Sequence, residues 1–323
     1  MKVLLANPRG FCAGVEMAVT ALERMVECFP PPVYCFHHVV HNESVVRHFE
    51  QRGVIFVDDI AEIPRGATVA FSAHGVSPAV RDETVKRQLH VVDLTCPLVT
   101  KVHREARRFA REGRMIALIG RARHDEVVGV TGEAPDRIVL VESAEDVRHL
   151  PDTGGDAVAY LTQTTLSVTE TRGVIDELRE RYPLIVGPSK ADICYATQNR
   201  QDAVRALARE AELTLVIGSA ESSNTCHLVD VSRTEGSDAR RIDGAHEIQP
   251  EWLENVNVVA VTSGASVPEH LVQDVAEHLA TRYGAQIEER SIGTERIHFA
   301  MPDELATRAV RRGHEVDAVQ LRK

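Results

Sequence analysis

Short apolar runs alternate with amphipathic helical segments along almost the whole chain. The pattern predicts strands at 3–6, 33–34, 54–56, 68–71, 91–93, 115–119, 138–140, 158–161, 213–217, 239–242 and 258–261. It predicts helices at 15–28, 43–52, 97–112, 167–181, 198–210, 228–235 and 269–283. Because continuous apolar runs suit strands that are buried on both faces, we predict an α/β fold with mostly parallel sheets.

Small and polar residues follow many of the predicted strands. Examples are the segments 72–75, 94–97, 162–165, 218–219 and 262–266. In open α/β sheets, ligands bind beyond the carboxyl ends of the strands. We therefore expect these loops to face a common site.

A weak internal repeat organises the chain. Three times, an extended run leads into a cysteine that opens a helix, at Cys12, Cys96 and Cys194. The spacing between successive cysteines is about the length of one small domain. We therefore predict three related α/β units, at 1–95, 96–193 and 194–323, with a C-terminal tail on the last.

Composition narrows the class of protein. Hydrophobic residues make up 43% of the chain and charged residues 26%, which is ordinary for a folded protein with a large core. The net charge is −11 and aromatic residues are only 4%, so a nucleic-acid surface is not expected. The basic cluster at 101–114 has the spacing of an exposed helix face.

No membrane segment or leader is expected. The longest stretches without a charged residue are 28–42 and 66–80, and each is shorter than the roughly 20 apolar residues of a spanning helix. The N-terminus runs directly into a predicted strand. We expect a cytoplasmic protein.

The six cysteines indicate metal chemistry rather than disulfides. They are dispersed and contain no C-x-x-C pair, which excludes a disulfide framework and zinc-ribbon or thioredoxin motifs. A helix N-terminus lowers the pKa of a thiol, and three such thiolates without a fourth ligand fit an iron–sulfur cluster with one open iron better than structural zinc. Cys28 and Cys35 are predicted to be buried apolar residues, whereas Cys226 has polar neighbours and is left open.

Several motifs resemble one family. They are the segments 7–15, 39–42, 71–77, 95–99, 162–167, 192–197, 222–224 and 264–266. In order and spacing they are similar to the 4-hydroxy-3-methylbut-2-enyl diphosphate reductases, the last enzymes of the non-mevalonate isoprenoid pathway. The resemblance runs from about residue 3 to about residue 300.

The resemblance implies a fold, a cofactor and site residues. It implies three small α/β domains in pseudo-threefold arrangement around a central 4Fe-4S cluster with three cysteine ligands and one open iron. The cluster ligands would be Cys12, Cys96 and Cys194. The substrate-binding residues would be His41, His74, His124, Ser222, Ser223, Asn224 and Ser266. Glu126 would deliver a proton, and Thr164 would lie beside the substrate alcohol.

The implied reaction removes the allylic hydroxyl of 4-hydroxy-3-methylbut-2-enyl diphosphate and gives isopentenyl and dimethylallyl diphosphate. It needs two electrons, which the family takes from a ferredoxin- or flavodoxin-type carrier. Most of the other histidines, including His37, His38 and His103, are interpreted as structural residues, and no third ligand at metalloprotease spacing supports a zinc pair at His37 and His41.

Two loops depart from the family pattern. The family usually has Gly-His-x-x-His-Pro-Glu, but this chain has Arg121 and Asp125 at the second and sixth positions. The segment 225–227 also differs, with Thr-Cys-His in place of Ser-x-Arg. A divergent paralogue that uses a related allylic diphosphate, and a non-catalytic iron–sulfur sensor, therefore stay open as alternatives.

Two further alternatives are weaker. A nucleotide-dependent enzyme lacks support because the chain has no Gly-Lys pair for a Walker A loop and no G-x-G-x-x-G after the first strand. A hydrolase with a cysteine nucleophile would explain Cys12 but neither Cys96 nor Cys194.

Overall fold

The computed structural model describes residues 1–153 and 157–305. The predicted C-terminal tail beyond 305 lies outside the described residues. The strands are β1 (Lys2–Asn7), β2 (Val33–Phe36), β3 (Val54–Val57), β4 (Thr68–Phe71), β5 (His90–Asp93), β6 (Met115–Ile119), β7 (Ile138–Val141), β8 (Val158–Thr162), β9 (Leu213–Ile217), β10 (Asp238–Ile242), β11 (Val258–Ser263) and β12 (Gln286–Ser291). The α-helices are α1 (Ala13–Cys28), α2 (Glu43–Gln51), α3 (Pro78–Lys86), α4 (Pro97–Arg111), α5 (Asp125–Thr131), α6 (Ala144–Val147), α7 (Val168–Arg181), α8 (Tyr195–Ala208), α9 (Ser223–Thr234) and α10 (Glu269–Tyr283).

Within the described residues, the strands form three parallel sheets. The strand orders are β10-β9-β11-β1-β12, β3-β2-β4-β5 and β7-β6-β8. Every pairing in these sheets is parallel. The predicted α/β class with parallel sheets is therefore confirmed.

The chain divides into two compact units. Among the described residues, the first unit comprises 1–15, 41–45 and 194–297, and the second comprises 16–40, 46–153, 157–193 and 298–305. The first unit holds the five-stranded sheet, and the second holds the four-stranded and three-stranded sheets. The finer division into three units, at 1–95, 96–193 and 194–323, stays a prediction.

The core of the first unit lies around its central strands. The side chains of Val3, Leu215 and Val261 are fully buried, and α10 packs the apolar side chains of Val272 and Leu279 against them. Strand β12 lies at the edge beside β1 and is largely exposed. Its polar sequence explains why no apolar run marks it.

The second unit places its loops at the carboxyl ends of its strands. Strand β4 leads into residues 72–75, β6 leads into 120–124, and β8 leads into 163–167. Strand β6 has apolar side chains on both faces, with Ile116 and Leu118 in one cluster and Ala117 and Ile119 in another. The loops after β6 and β8 are therefore held on a sheet that is buried on both sides.

No helix in the described parts of the chain combines the length and apolar character needed to cross a bilayer.

Candidate active site

The carboxyl group of Glu126 is buried in the second unit and bound by one residue. Helix α5 begins at Asp125, so that Glu126 lies in its first turn with only 2% of the residue exposed. The backbone N–H of Thr164 donates to Glu126 Oε1 at 2.7 Å, and the Thr164 hydroxyl donates to Oε2 at 2.8 Å. The structure thus brings together the two residues that the resemblance assigns to catalysis.

The surroundings of Glu126 move the ionisation of its carboxyl toward neutral pH. Burial raises the pKa of Glu126 to about 7, although the two hydrogen bonds from Thr164 act in the opposite direction. The negative charge of Asp192 adds to the rise. A carboxyl with this pKa is protonated in a large fraction of molecules at neutral pH, as a general acid requires.

A buried ion pair supports the end of β8. Asp192 Oδ2 accepts a hydrogen bond from the Thr162 backbone N–H at 3.0 Å, and Lys101 Nζ donates to Asp192 Oδ1 at 2.8 Å. Lys101 Nζ also donates to the carbonyls of Lys190 and Ala191. Burial raises the pKa of Asp192, and the Lys101 cation opposes that rise. The pair fixes the strand end from which the Thr164 loop departs.

Two of the predicted histidines lie at or near the start of α5, the helix that carries Glu126. His124 is the N-cap of α5, and its Nδ1 accepts a hydrogen bond from the Glu126 backbone N–H at 3.2 Å. The ring of His74 lies edge-on to the ring of His124, with 5.7 Å between ring centroids. Asp125 bridges two histidines, with Oδ1 at 2.7 Å from His37 Nδ1 and Oδ2 at 3.7 Å from His74 Nδ1.

The turn after His74 has no room for a side chain. Gly75 has a φ of 78°, and a Cβ atom there would lie 2.8 Å from His103 Nε2. His103 is buried, and its Nδ1 lies 2.7 Å from Glu133 Oε1, which also accepts a hydrogen bond from Arg107 at 2.8 Å. Burial opposes ionisation of Glu133, but these two partners hold its pKa below the usual range.

In the first unit, Cys12 and Cys194 both lie at helix N-termini. Cys12 directly precedes α1, and its backbone N–H donates to the Ala265 carbonyl at 3.1 Å. Cys194 is the N-cap of α8, and its Sγ accepts a hydrogen bond from the Thr197 N–H at 3.3 Å. The prediction that a helix N-terminus lowers the thiol pKa is wrong for Cys194. Burial, together with the charge of Cys12, raises its pKa to about 11 and outweighs the helix.

A fully buried arginine joins the segments that carry these two cysteines. The Arg200 guanidinium donates to the Gly10 carbonyl at 2.8 Å and to the Ala196 carbonyl, within α8, at 3.0 Å. It also pairs with Glu295 at 2.9 Å. Because Gly10 lies two residues before Cys12, the guanidinium ties the Cys12 loop to the helix that Cys194 caps.

The N-terminus of α9 forms a cradle of unused polar groups. Ser222 caps this helix by accepting a hydrogen bond from the Thr225 N–H at 3.3 Å. Among the residues that the structure describes, the Ser223 hydroxyl and both polar atoms of the Asn224 amide are buried without a hydrogen-bond partner. Buried polar groups are almost always bonded, so these donors indicate a polar ligand.

A glycine loop closes against this cradle. A Cβ atom on Gly264 would overlap the Thr225 hydroxyl, so the loop approaches α9 as closely as backbone allows. Two residues later, the Ser266 hydroxyl donates to the His41 carbonyl at 3.1 Å. The structure therefore groups the predicted residues Ser222, Ser223, Asn224, Ser266 and His41 on neighbouring loops of the first unit.

A family model described as LytB protein matches residues 3–280. The chain belongs to this family. A 4-hydroxy-3-methylbut-2-enyl diphosphate reductase of Acidothermus cellulolyticus is 50% identical over 97% of this chain and 92% of that protein. The reductase of the same name from Stenotrophomonas maltophilia K279a is 50% identical over 96% of this chain and all of its own length.

Solved structures show the same relationship. The structure of the E-1-hydroxy-2-methyl-but-2-enyl-4-diphosphate reductase from Plasmodium falciparum is 35% identical, with a TM-score of 0.94, and covers 96% of this chain and 98% of its own. A (E)-4-hydroxy-3-methyl-but-2-enyl diphosphate reductase, described as the terminal enzyme of the non-mevalonate pathway, is 30% identical with a TM-score of 0.61. The resemblance predicted from the motifs is confirmed, and the chain is an oxidoreductase of the LytB family.

The LytB family is one of iron–sulfur enzymes, and the cysteines of this chain fit such a cofactor. The charge of Cys12 contributes to the raised pKa of Cys194, so the two thiols lie near each other. Cys96 is the N-cap of α4, but its side chain does not cap that helix. The other cysteines differ, because Cys28 and Cys35 are buried in the core and burial raises the pKa of Cys35.

Sequence reasoning missed several residues of this LytB-family site. Arg200 and Asp192 were not singled out, although both lie within six residues of Cys194, a predicted cofactor ligand, and this proximity is a usable signal. His37 was interpreted as structural, yet it pairs with Asp125. Cys226 is half-buried, and its thiol donates to the Ala220 carbonyl at 3.2 Å, which gives it a local partner.

Proposed function

We propose that this chain reduces 4-hydroxy-3-methylbut-2-enyl diphosphate to isopentenyl and dimethylallyl diphosphate. The observation that carries the proposal is the buried Glu126 carboxyl, which has a pKa of about 7 and is bound twice by Thr164. The similar proteins at 50% identity are reductases of this substrate. That similarity favours this reaction over a related allylic diphosphate or a sensor role.

Three cysteines would hold the cofactor, a 4Fe-4S cluster with one open iron. They are Cys12, Cys96 and Cys194, each at the start of a helix. When bound, such a cluster supplies single electrons and Lewis acidity at its open iron. The helix N-termini place positive dipole ends beside the sulfur ligands, although at Cys194 burial outweighs this effect on the free thiol.

Glu126 provides the acid for the departing oxygen. Removal of the hydroxyl as water consumes two electrons and two protons, one on the leaving oxygen and one on the allylic carbon skeleton. Glu126 holds the first of these protons at Oε2 or Oε1, and the Thr164 hydroxyl keeps the carboxyl in place. The carbon that receives the second proton decides which of the two isomers forms.

Local groups rather than overall charge would bind the diphosphate, because the chain has a net charge of −11. In the first unit, the donors are the Ser223 hydroxyl and Asn224 amide at the start of α9, together with Ser222, Ser266 and His41. In the second unit, they are His74 and His124. Hydrogen bonds from such groups to phosphate oxygens are charge-assisted and strong.

The electron donor and the compartment belong to the same proposal. A ferredoxin- or flavodoxin-type carrier would deliver the two electrons one at a time, as the family resemblance implies. A cytoplasmic location accords with such a carrier.

Anaerobic purification followed by a turnover assay tests the proposal. We expect a brown protein with about four iron and four sulfide per chain that reduces the hydroxymethylbutenyl diphosphate when dithionite and a mediator are supplied. The Glu126→Gln variant should keep its iron and lose at least about 100-fold in kcat, because an amide cannot supply the proton. The matched control is Glu145→Gln, an exposed glutamate of α6.

Two results would contradict this proposal. A colourless protein without iron would remove the cofactor assignment. Near-full activity in Glu126→Gln would remove the role of Glu126 as proton donor, whereas loss of iron in that variant would indicate a structural effect.

A further inference from the structure

Asp125 stands at a position where the family usually has proline, and the structure gives its carboxylate two histidine partners. Oδ1 lies 2.7 Å from His37 Nδ1, and Oδ2 lies 3.7 Å from His74 Nδ1. All three side chains are partly buried, with between 14% and 25% of each exposed. The carboxylate is therefore a bridge within one unit rather than a solvated surface charge.

His37 is the nearer of the two histidine partners of the Asp125 carboxylate. Its backbone has a φ of 59°, in the left-handed region that is costly for a side-chain-bearing residue, and its N–H donates to the Val57 carbonyl at 2.8 Å. Burial lowers the pKa of His37, but the hydrogen bond and charge of Asp125, with the charge of Asp58, leave it raised overall. His37 is therefore a conformationally fixed partner of the Asp125 carboxylate.

We propose that Asp125 is a positioning residue that orients His74 for the substrate diphosphate. The carboxylate faces Nδ1 of His74, so the ring turns its opposite nitrogen, Nε2, away from Asp125. The inference rests on the proposed function, because His74 is assigned to the diphosphate there. It adds a residue that the family pattern does not supply, since proline has no side-chain oxygen.

A purely structural role for Asp125 makes different predictions. Asp125 is the first residue of α5, where a negative charge interacts well with the helix dipole and where proline also fits. If Asp125 acted only on the helix, Asp125→Pro would be harmless. If it acts through His74, Asp125→Pro and Asp125→Asn must both weaken binding.

The test measures binding and turnover in the anaerobically loaded enzyme. Isothermal titration without reductant gives the dissociation constants of the substrate and of inorganic pyrophosphate, and steady-state assays give KM and kcat. For Asp125→Asn and Asp125→Pro we expect both dissociation constants and KM to rise about tenfold, with kcat within about twofold, because a charge-assisted contact is lost. Asp125→Glu should recover part of the loss, and the exposed control Asp136→Asn should behave as the parent.

A double-variant cycle shows whether the effect passes through His74. In a His74→Asn background, Asp125→Asn should cause little further loss of pyrophosphate binding. Unchanged binding in Asp125→Asn, or losses that add fully in the double variant, would overturn the inference. Pyrophosphate binding keeps the two proposals separate, because it decides the role of Asp125 even if the parent enzyme fails to reduce the substrate.

Discussion

Two opposed effects determine the pKa of the Glu126 carboxyl. Burial favours the neutral acid, and the two hydrogen bonds from Thr164 favour the carboxylate. Burial is the larger effect, so the pKa is about 7 rather than near the usual value of a glutamate. Activity that needs the acid form should therefore fall as the pH rises through about 7.

Thr164→Val separates the two effects. The substitution removes the hydroxyl bond to Oε2 and keeps the backbone bond to Oε1. Because the lost bond favours the carboxylate, the pKa of Glu126 should rise further, by up to about one unit. We expect the alkaline limb of the kcat–pH profile to move to higher pH. A shift to lower pH would contradict this account, and Thr169→Val, in α7, is the control.

At the scale of single residues, the sequence motifs identified candidate catalytic residues but not the hydrogen bonds and burial that set their pKa values. Glu126 and Thr164 could be singled out because each stands in a recognisable motif. Their mutual hydrogen bonds and the influence of Asp192 depend on which loops fold together, which no local pattern specifies. The wrong expectation for the Cys194 pKa has the same origin, because the helix N-terminus is visible in sequence and the depth of burial is not.

At the scale of secondary-structure elements, the packing of the Gly264 loop against α9 shapes the proposed diphosphate site. The Gly264 loop can lie against α9 only because it carries no side chain, since a Cβ atom would overlap Thr225 Oγ1. The loop leads directly to Ser266, and the facing helix carries the unpaired donors of Ser223 and Asn224. The geometry of the proposed diphosphate cradle therefore depends on this one glycine.

Gly264→Ala should damage the cradle and the fold together. We expect the free energy of unfolding to fall by about 2 kcal/mol, as overpacking costs, and the dissociation constant of pyrophosphate to rise at least about tenfold. Gly173→Ala, in open space on α7, is the matched control. The double variant Gly264→Ala with Thr225→Ala should recover part of the stability. No recovery would show that the clash with the Thr225 hydroxyl is not the cause.

The bounds of buried strands were predicted more accurately than those of exposed elements. Strands β4, β6 and β9 have the predicted bounds, because a strand that is buried on both faces is a nearly continuous apolar run. Strand β12 was missed, since an edge strand with the sequence QIEERS has no apolar run. Helix α5 has only seven residues, too few to show a periodic apolar face, although it carries Glu126.

At the scale of the whole molecule, the cysteines provide the decisive test of cofactor binding. Cys12→Ser, Cys96→Ser and Cys194→Ser should each lose most of the iron, because a cluster with three protein ligands tolerates none of these losses. Cys226→Ser should keep its iron, since that thiol already has a local partner in the Ala220 carbonyl. Iron and sulfide analysis after anaerobic purification checks both expectations. Full iron content in any of the three variants would contradict the ligand set.

Pairing between distant segments is the part of the fold that the sequence least specifies. Strand β1 pairs with β11 on one side and with β12 on the other, so Lys2 is aligned with both Val258 and Gln286. The apolar run of β1 predicts a buried strand but does not specify which strands pair with it. Parallel strands need long crossover connections, and many partners are compatible with one run.

This pairing also sets an order of events when the protein is made. Translation proceeds from the N-terminus, and β1 leaves the ribosome long before the strands that flank it. Until residues 258–291 have emerged, the main-chain groups of β1 lack their sheet partners and the Cys12 amide lacks the Ala265 carbonyl. The loop that carries Cys12 is thus completed only after residues 258–291 have been made, so the sulfur proposed as a cluster ligand is fixed in place only then.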